Sequence, residues 1–532
     1  MPTDAAPAPA LPRSGGRYAN YVLFVLVIVY VFNFIDRNIL SILSQDIQRD
    51  LGVGDAEMGF LYGTVFAVFY AVFGIPLARF ADVWVRRSLI SAGLLGWSLM
   101  TALSGFARSF PMLAACRIGV GIGEASASPA AYSLLSDYYA PRVRATVLAI
   151  YSSGVYIGGG IGLFLGGFIM ETWNTAYPDR NAAPLQFAGW QAAFLAVGIP
   201  GILMAIWVRT LREPERGASE GLVGPAHPAP FSVLGTELKA MMPVFNLLPL
   251  HRAGGSVPRN LLAGLAIALV ATGLALLSGD KAQWITLGIG AYIVVCWAQS
   301  LRARDNATFQ MIFGSKAMVY AMIAFPLSSF VTYGTGYWTA PLMLRLHDTS
   351  AGQVGMYLGL GAAVGGLIGV TLGGVLADRL KLWHPAGRLL VPGAGIVLTA
   401  PAILWTIYTP SLETAFVLNL VATLTSAMGT GIPPTTAADL VMPRMRAIAG
   451  AYYILLNTMI GLALGPYAMG KLSDVLAATG MSAAESLRLS MTCSLAVFLV
   501  ALVFLALAFR HLPKDEATRL QRAARYGEPI AA

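Results

Sequence analysis

Charge is what this 532-residue sequence has least of, at 11% Asp, Glu, Lys and Arg against about 25% in an ordinary soluble domain. Beside 57% hydrophobic residues, that scarcity excludes a soluble globular chain. Cysteine is almost missing too: Cys116, Cys296 and Cys493 lie far apart in apolar stretches without C-x-x-C spacing, so neither a disulfide framework nor a thiolate metal site is expected. The five histidines, His227, His251, His347, His384 and His511, fall in loops or at span ends, which leaves no candidate for an intramembrane metal or haem. No cofactor is expected. There is no H-E-x-x-H and no G-x-S-x-G, which argues against an enzyme. Gly465-Pro-Tyr-Ala-Met-Gly470-Lys471 has the spacing of a P-loop, but Leu472 replaces the required Ser or Thr and the string lies inside an apolar run. The first 18 residues are Ala/Pro-rich and polar, without the hydrophobic region of a cleaved signal peptide.

What the chain has is apolar length. A bilayer core needs roughly 20 apolar residues per helix, and runs of that size recur from end to end. They predict an all-α polytopic membrane protein with fourteen spans, the third at 88–107 and the fourth at 112–136. The net charge of +9 is distributed as topology rather than as a nucleic-acid surface, so no nucleic-acid partner is expected. Most Lys and Arg fall in alternate loops, among them Arg86, Arg142, Arg144, Arg388, Arg444 and Arg446. The positive-inside rule then puts both termini in the cytoplasm of a multi-pass cell (inner) membrane protein.

The chain also repeats itself. Asp137-x-x-x-Pro141-Arg142-x-Arg144-Ala145 returns 302 residues later as Asp439-x-x-x-Pro443-Arg444-x-Arg446-Ala447, and Asp82 has a counterpart in Asp378. The predicted organisation is a disordered N-terminus (1–18), a six-helix bundle (19–208), a central cytoplasmic linker (209–316), a second six-helix bundle (317–509) and a tail (510–532). The linker carries two extra spans and an amphipathic run through Phe231, Leu234, Leu238, Met241, Phe245 and Leu248, expected to lie in the interface with a kink at Pro243. Gly154-x-x-x-Gly158 and Gly461-x-x-x-Gly465 predict close helix contacts.

Two six-helix repeats resemble the major facilitator plan, in which a substrate site lies between the halves. Gly374-Val-Leu-Ala-Asp378-Arg379 resembles that family's inner-loop G-x-L-A-D-R signature. Asp82-Val-Trp-Val-Arg86-Arg87 resembles the first-half copy, with Ala78 and Val83 departing from it. The resemblance implies a gating role for Asp82, Arg86, Arg87, Asp378 and Arg379.

Away from their ends, the spans hold almost no ionisable residues except Asp36, Arg37, Arg117 and Glu124, all in the first half. A charge at the bilayer centre costs about 2.5–3.5 kcal/mol on insertion scales, so such residues are functional candidates by default. At 1.5 Å per residue, Asp36 and Arg117 lie about 7 and 9 Å beyond the middles of their spans, nearly level. Glu124 follows Arg117 by seven residues, on the same helical face. An acid–base ladder of Asp36, Arg117 and Glu124 is therefore expected, with Arg37 facing either the same cavity or a polar interface. Burial and a neighbouring guanidinium act oppositely on a carboxyl group, so hydration or substrate arrival can switch its protonation. Arginine stays charged and can hold a carboxylate or phosphate in two parallel hydrogen bonds.

Asn33-Phe-Ile-Asp36-Arg37, together with Arg117-Ile-Gly-Val-Gly-Ile-Gly-Glu124-Ala-Ser126, resembles the Spinster branch of major facilitator transporters. The resemblance implies a lipid-like substrate with an anionic head, and the cluster itself leads to a secondary transporter, proton-coupled through Asp36 and Glu124. Its substrate would be an anionic amphipathic molecule such as a lysophospholipid or sphingoid phosphate, met by Arg37, Arg117, Asn33 and Ser126. On the second half, the uncharged Thr332, Tyr333, Tyr337, Trp338, Tyr453 and Asn457 offer a complementary surface, with Thr423, Thr425 and Ser426 as further candidates. The alternatives are a transporter of small organic anions such as sugar acids, and a non-concentrative lipid scramblase or receptor. Expected partners are membrane lipids, the substrate and protons, with the chain a monomer.

Overall fold

The computed structural model describes residues 15–217, 219 and 228–528. Residues 1–14 of the expected N-terminal tail, and His227, lie outside the described residues. All regular elements among the described residues are helical. The first half comprises α1 (Arg17–Leu51), α2 (Asp55–Val83), α3 (Arg86–Ser104), α4 (Phe110–Glu124), α5 (Ala127–Tyr138), α6 (Arg142–Ala176) and α7 (Gly189–Arg209). Between the halves come α8 (Pro230–Met241), α9 (Leu247–Arg252), α10 (Val257–Ser278), α11 (Lys281–Arg304) and α12 (Asn306–Phe313). The second half follows as α13 (Lys316–Leu346), α14 (Ala351–Trp383), α15 (Gly387–Tyr408), α16 (Leu412–Asp439), α17 (Pro443–Ala477) and α18 (Ala483–Ala517), and a short α19 (Arg519–Arg525) ends the chain.

Twelve of these helices are long and apolar enough to cross a membrane, two fewer than the fourteen spans expected. The third and fourth expected spans make the difference. Helix α3 opens on Arg86 and Arg87 and carries Ser88, Ser91, Ser98, Thr101 and Ser104, which lowers its hydropathy. The fourth span is divided into α4 and α5 at Ala125 and Ser126. The linker departs from expectation as well. Pro243 does not kink one continuous amphipathic helix; α8 stops at Met241, Met242 turns extended ahead of the proline, and Val244 adopts a φ of 70° before α9 begins. Steric conflict between a proline ring and the residue before it disfavours helix there.

The glycine pairs do what their spacing predicts. Gly158 of α6 lies against Val31 of α1, and Gly465 of α17 against Phe330 of α13. Across the two halves the approach of α6 and α14 is as close: a Cβ on Gly160 would stand 2.3 Å from the carbonyl oxygen of Gly359. Helices α1 and α13 meet side by side, where Ser41 Oγ donates to the Tyr337 carbonyl at 2.5 Å and Gln45 Nε2 to the Pro341 carbonyl at 2.9 Å. Helices α2 and α17 each contain one wide π turn, Phe60–Thr64 and Asn457–Leu462, and Thr64 Oγ1 donates to the Ala463 carbonyl at 2.8 Å. Single π turns inside α-helices concentrate at functional sites.

The hairpin α10–α11 leaves most of its surface outward; Leu262, Leu269 and Leu277 are exposed. Its inner helix touches both halves, with Gly290 against Val68 of α2 and Met459 of α17. At the hairpin turn, Asp280 accepts from Tyr467 Oη at 2.6 Å and pairs with Lys471 at 3.0 Å.

Candidate functional site

The four intramembrane ionisable residues converge. Helix α1 carries Asn33, Asp36 and Arg37, helix α4 carries Arg117 and Glu124, and all five are buried. Arg37 Nη2 donates to Glu124 Oε2 at 2.7 Å. The guanidinium is enclosed by rings, its Cζ lying 4.7 Å from the centroid of Phe34, 4.5 Å from Phe66 and 5.2 Å from Tyr70. A desolvated cation among aromatic faces gains about 2 kcal/mol or more per good contact, which helps hold this charge away from water.

The pairing differs from the expected ladder. Glu124 takes Arg37 as its partner rather than Arg117, and Arg117 Nη1 reaches the backbone carbonyl of Asp36 at 3.3 Å instead of its carboxylate. Residue spacing gives height along a helix but not the rotation that decides which of two nearby arginines an acid meets. Several polar atoms here have no hydrogen-bond partner: Asp36 Oδ1, Glu124 Oε1, Arg37 Nε, and Arg117 Nε and Nη2. Trp97 Nε1 and Thr101 Oγ1 of α3 lie close enough to polarise the Asp36 carboxylate but fall short of hydrogen-bond geometry. Each unpaired buried polar atom costs about 1–3 kcal/mol, more when charged, so the cluster retains unused capacity for protons and for polar ligand groups.

Of the other residues singled out in the sequence, Asn33 lies beside Glu124. Tyr333 is near enough to Arg37 to interact with it electrostatically. Tyr337 stacks on Tyr62 with centroids 4.3 Å apart, and its hydroxyl lies 3.3 Å from Ser44 Oγ. Trp338 Nε1 donates to the Pro466 carbonyl at 2.9 Å, which ties α13 to α17. Ser126 Oγ donates to the Gly123 carbonyl at 2.8 Å, at the break between α4 and α5. Tyr453 meets Phe325 edge to face and lies near Tyr333 and Tyr156, while Asn457 Oδ1, at the π turn, is buried without a partner. The aromatic residues Phe66, Tyr70 and Tyr62 were missed by sequence reasoning. They look like ordinary apolar span residues, and only the cation beside them marks them out.

The loop residues divide. Asp82, Asp378 and Arg379 are exposed, Asp82 lying 3.9 Å from Arg79 and Asp378 2.8 Å from Arg388. Arg86 is fully buried: it pairs with Asp137, bonds Glu213 Oε1 at 2.8 Å, and donates to the Ser133 and Pro214 carbonyls. The Arg87 backbone N–H donates to Glu213 at 3.0 Å. In the second half, Lys381 pairs with Asp439 and Glu516, and Arg388 with Asp439 at 2.9 Å.

Two helical halves, the first holding a buried acid–base cluster, with twelve membrane-length helices among the described residues, define a multi-pass membrane transporter. The chain belongs to the Major Facilitator Superfamily, whose sequence model matches residues 26–466. Within that family it is similar to an MFS-type efflux pump of Mycolicibacterium smegmatis, 26% identical over 473 residues that cover 87% of this chain and 86% of the relative. It is 24% identical to protein spinster homolog 1 of Mus musculus, over 86% of this chain and 73% of that one. A shorter match, 28% identical over 37% of this chain and 41% of the relative, is to a probable L-galactonate transporter of Escherichia coli. In three dimensions the chain matches a bacterial homologue of the human lysosomal transporter Spinster, crystallised inward-facing and unoccupied, with a TM-score of 0.71 and 27% identity over 94% of this chain and 99% of that one.

Proposed function

We infer that the protein is a secondary active transporter, working by alternating access, that couples movement of an anionic amphipathic substrate to protons through Asp36 and Glu124. The observation that carries this reading is the buried Arg37–Glu124 pair beside a partly unpaired Asp36 and Arg117. A substrate phosphate or carboxylate entering the cluster competes with Glu124 for Arg37 and supplies acceptors for the free Arg117 nitrogens. Glu124, displaced from its partner, then takes up a proton, which links arrival of the anion to protonation. The enclosing Phe34, Phe66 and Tyr70 rings suit an apolar tail. The basic residues at the loops that carry Arg86, Arg388 and Arg444 support a cell (inner) membrane orientation with both termini in the cytoplasm.

A second reading, transport of a small organic anion such as a sugar acid, is favoured by the short match to the probable L-galactonate transporter, because the same arginines would hold a carboxylate. The test is transport in proteoliposomes under an imposed pH gradient. Asp36→Asn and Glu124→Gln are each expected to abolish gradient-driven uptake while leaving counterflow exchange measurable. Full gradient-driven transport by both variants would remove the coupling assignment. Competition between lysophospholipids, sphingoid phosphates and sugar acids in the same vesicles separates the two substrate classes.

A further inference from the structure

The internal repeat assigns every residue of the charged cluster a counterpart. Where α1 and α13 touch, the bonded positions differ by 296, from Ser41 to Tyr337 and from Gln45 to Pro341. Helices at equal height beside a two-fold axis meet at equivalent positions, so Asp36 corresponds to Thr332 and Arg37 to Tyr333. For the helices that follow, the offset is 302: Arg86 bonds Asp137 as Arg388 bonds Asp439. Trp97, Arg117 and Glu124 therefore correspond to Thr399, Asn419 and Ser426. Each charged group has an uncharged polar substitute, and the large Trp97 side chain has a small one.

The substitution leaves space. In the first half, Asp36, Trp97, Arg117 and Glu124 fill the junction of α1, α3 and α4, each at most 1% exposed. The equivalent junction of α13, α15 and α16 holds a cleft of about 70 Å³ lined by Thr332, Thr399, Asn419 and Ser426, together with Thr335 and Thr406. One water-sized group needs about 10–15 Å³, so the cleft takes a few such groups rather than a whole amphiphile.

Most hydroxyl protons around this cleft are already committed, Thr332 being the exception with only a 3.4 Å contact to the Ser329 carbonyl. Thr335 donates to the Val331 carbonyl, Thr406 to Ala402, Thr423 to Asn419 and Ser426 to Thr423, all at 2.8–3.0 Å. Thr425 donates to the Val421 carbonyl at 2.9 Å, so the 2.7 Å contact between Thr399 and Thr425 takes its proton from Thr399. A hydroxyl that donates to its own helix still has an oxygen lone pair to offer. The wall is thus rich in acceptors, with the Asn419 amide as its one N–H donor, and no lining residue is charged. A buried cation without a counter-charge is costly there, whereas a neutral group with O–H donors pairs with the wall.

We propose that this cleft is a second, neutral binding subsite, the uncharged twin of the Asp36, Arg37, Arg117 and Glu124 cluster, and that it takes a vicinal diol or short polyol fragment. Such a fragment belongs equally to a sugar acid or to a glycerol-type head group. The assignment of those hydroxyls to the transported substrate rests on the functional reading above; the cleft's affinity for a diol does not.

The first probe is therefore erythritol, which has no charge, observed by saturation-transfer NMR on the purified full chain in detergent. Saturable transfer is expected in the wild type, lost in Thr335→Val/Thr399→Val and in Thr399→Trp, which restores the residue of the first half, and kept in Thr335→Ser. Absence of transfer in the folded wild type, or transfer unchanged in the valine pair, overturns the subsite. So does transfer that disappears when potassium replaces sodium, since that marks a metal-ion site. Two ligand pairs then identify the source of the hydroxyls: gluconate against hexanoate, and lysophosphatidylglycerol against lysophosphatidylethanol. In one pair the hydroxylated member is expected to bind about tenfold more tightly, and the valine pair to abolish that preference. Equal affinities within both pairs would overturn the link to substrate. Arg117→Gln should weaken both members of a pair alike; if it changes neither while the erythritol signal persists, the anion reading fails and the subsite stands.

Discussion

The two ends of the bundle are held together in opposite ways. At the end remote from the chain termini, the halves are bonded to each other. Arg345 of α13 pairs with Asp55 of α2 at 2.6 Å, Ser473 of α17 donates to the same carboxylate at 2.7 Å, and Asp474 accepts from the backbone N–H groups of Asp55 and Ala56 at 3.0 and 2.7 Å. Glu171 likewise accepts from the Gly352 N–H at 2.8 Å. At the end that holds the termini, among the described residues, the ion pairs stay within one half or join it to its flanking linker and tail: Arg86 with Asp137 and Glu213, Lys381 and Arg388 with Asp439, and Arg444 with Asp305 and Glu528. A transporter that opens alternately must break bonds between its halves at one end while each half stays rigid. Cross-half ion pairs at the remote end, against intra-half ion pairs at the terminal end with a single 3.1 Å contact between the Tyr156 and Thr430 hydroxyls on that side of the middle, describe a molecule tied more firmly at the former than at the latter.

That contrast breaks most visibly at Arg86. Its side chain is fully buried, and its removal takes away the guanidinium that Asp137 and Glu213 share, leaving them the backbone N–H groups of Gly217, Arg86 and Arg87. Losing one member of a buried charge network costs about 3–5 kcal/mol, somewhat less here because the acids are partly solvated. Arg86→Ala is expected to lower thermal stability markedly in detergent. Spin-label distances across the remote end should stay unchanged, because the network never crosses between the halves. A change in those distances without loss of stability would show that the intra-half assignment is wrong.

The converse variant is Asp55→Asn. It weakens the bonds from Arg345 and Ser473 and alters the acceptor available to Gln48 Nε2, which lies 2.7 Å away. A hydrogen bond to a charged group contributes about 1.5–3 kcal/mol, and about 1.4 kcal/mol is tenfold in an equilibrium. Double electron–electron resonance between labels on the first turn of α2, at Glu57, and on the turn after α17, at Ala478, should therefore show a new, longer distance, with thermal stability little affected. An unaltered distance distribution would mean that glycine packing, such as Gly59 against Pro466, holds this end without the ion pair.

These bonds at the two ends were not equally legible in the sequence. The repeat of Asp137 through Ala145 at Asp439 through Ala447 pointed to the intra-half anchors, because a motif kept at the end of the same helix in both halves serves the same helix ends. The intramembrane cluster was legible for a different reason: in spans nearly free of charge, Asp36, Arg37, Arg117 and Glu124 stand out. The pairing of Arg37 with Glu124 was not, since helical spacing fixes height and leaves rotation open. Asp55, Arg345 and Asp474 stand at helix ends, and nothing in their local sequence says that they face one another across the molecule. The divided fourth span went unread for a related reason. Ser126 in an apolar run is compatible with a continuous helix, and the turn shows only in its bond to Gly123.

The smallest expected effect sharpens the terminal end. Arg444 of α17 joins Asp305, which precedes α12, to Glu528 beyond α19, so one guanidinium ties the linker and the tail to the second half. The bonds from Arg444 hold Asp305 down to about 2 and push Glu528 below the usual carboxylate range. Free carboxylates titrate near 3.9 and 4.3, so each acid binds its proton less readily in the folded chain than in the unfolded one. Depressed values stabilise the clasp at a pH above the free values, and that stabilisation is lost as the pH falls through the folded ones. Between pH 5 and 8 the clasp should hold unchanged; it should loosen below about pH 4 and open as pH approaches 2. Arg444 is half exposed, so salt should weaken the clasp at any pH. Limited proteolysis of the tail, with trypsin after Arg525 at low and high salt near pH 7 and with pepsin between pH 4 and pH 2, reads the release directly. Arg444→Gln should give the released pattern at pH 7 without altering distances at the remote end. If cleavage at pH 7 is equally slow in that variant, the tail is held by Arg519 and Arg522, which donate to the Asp439 and Leu440 carbonyls, and the clasp contributes nothing to the terminal end.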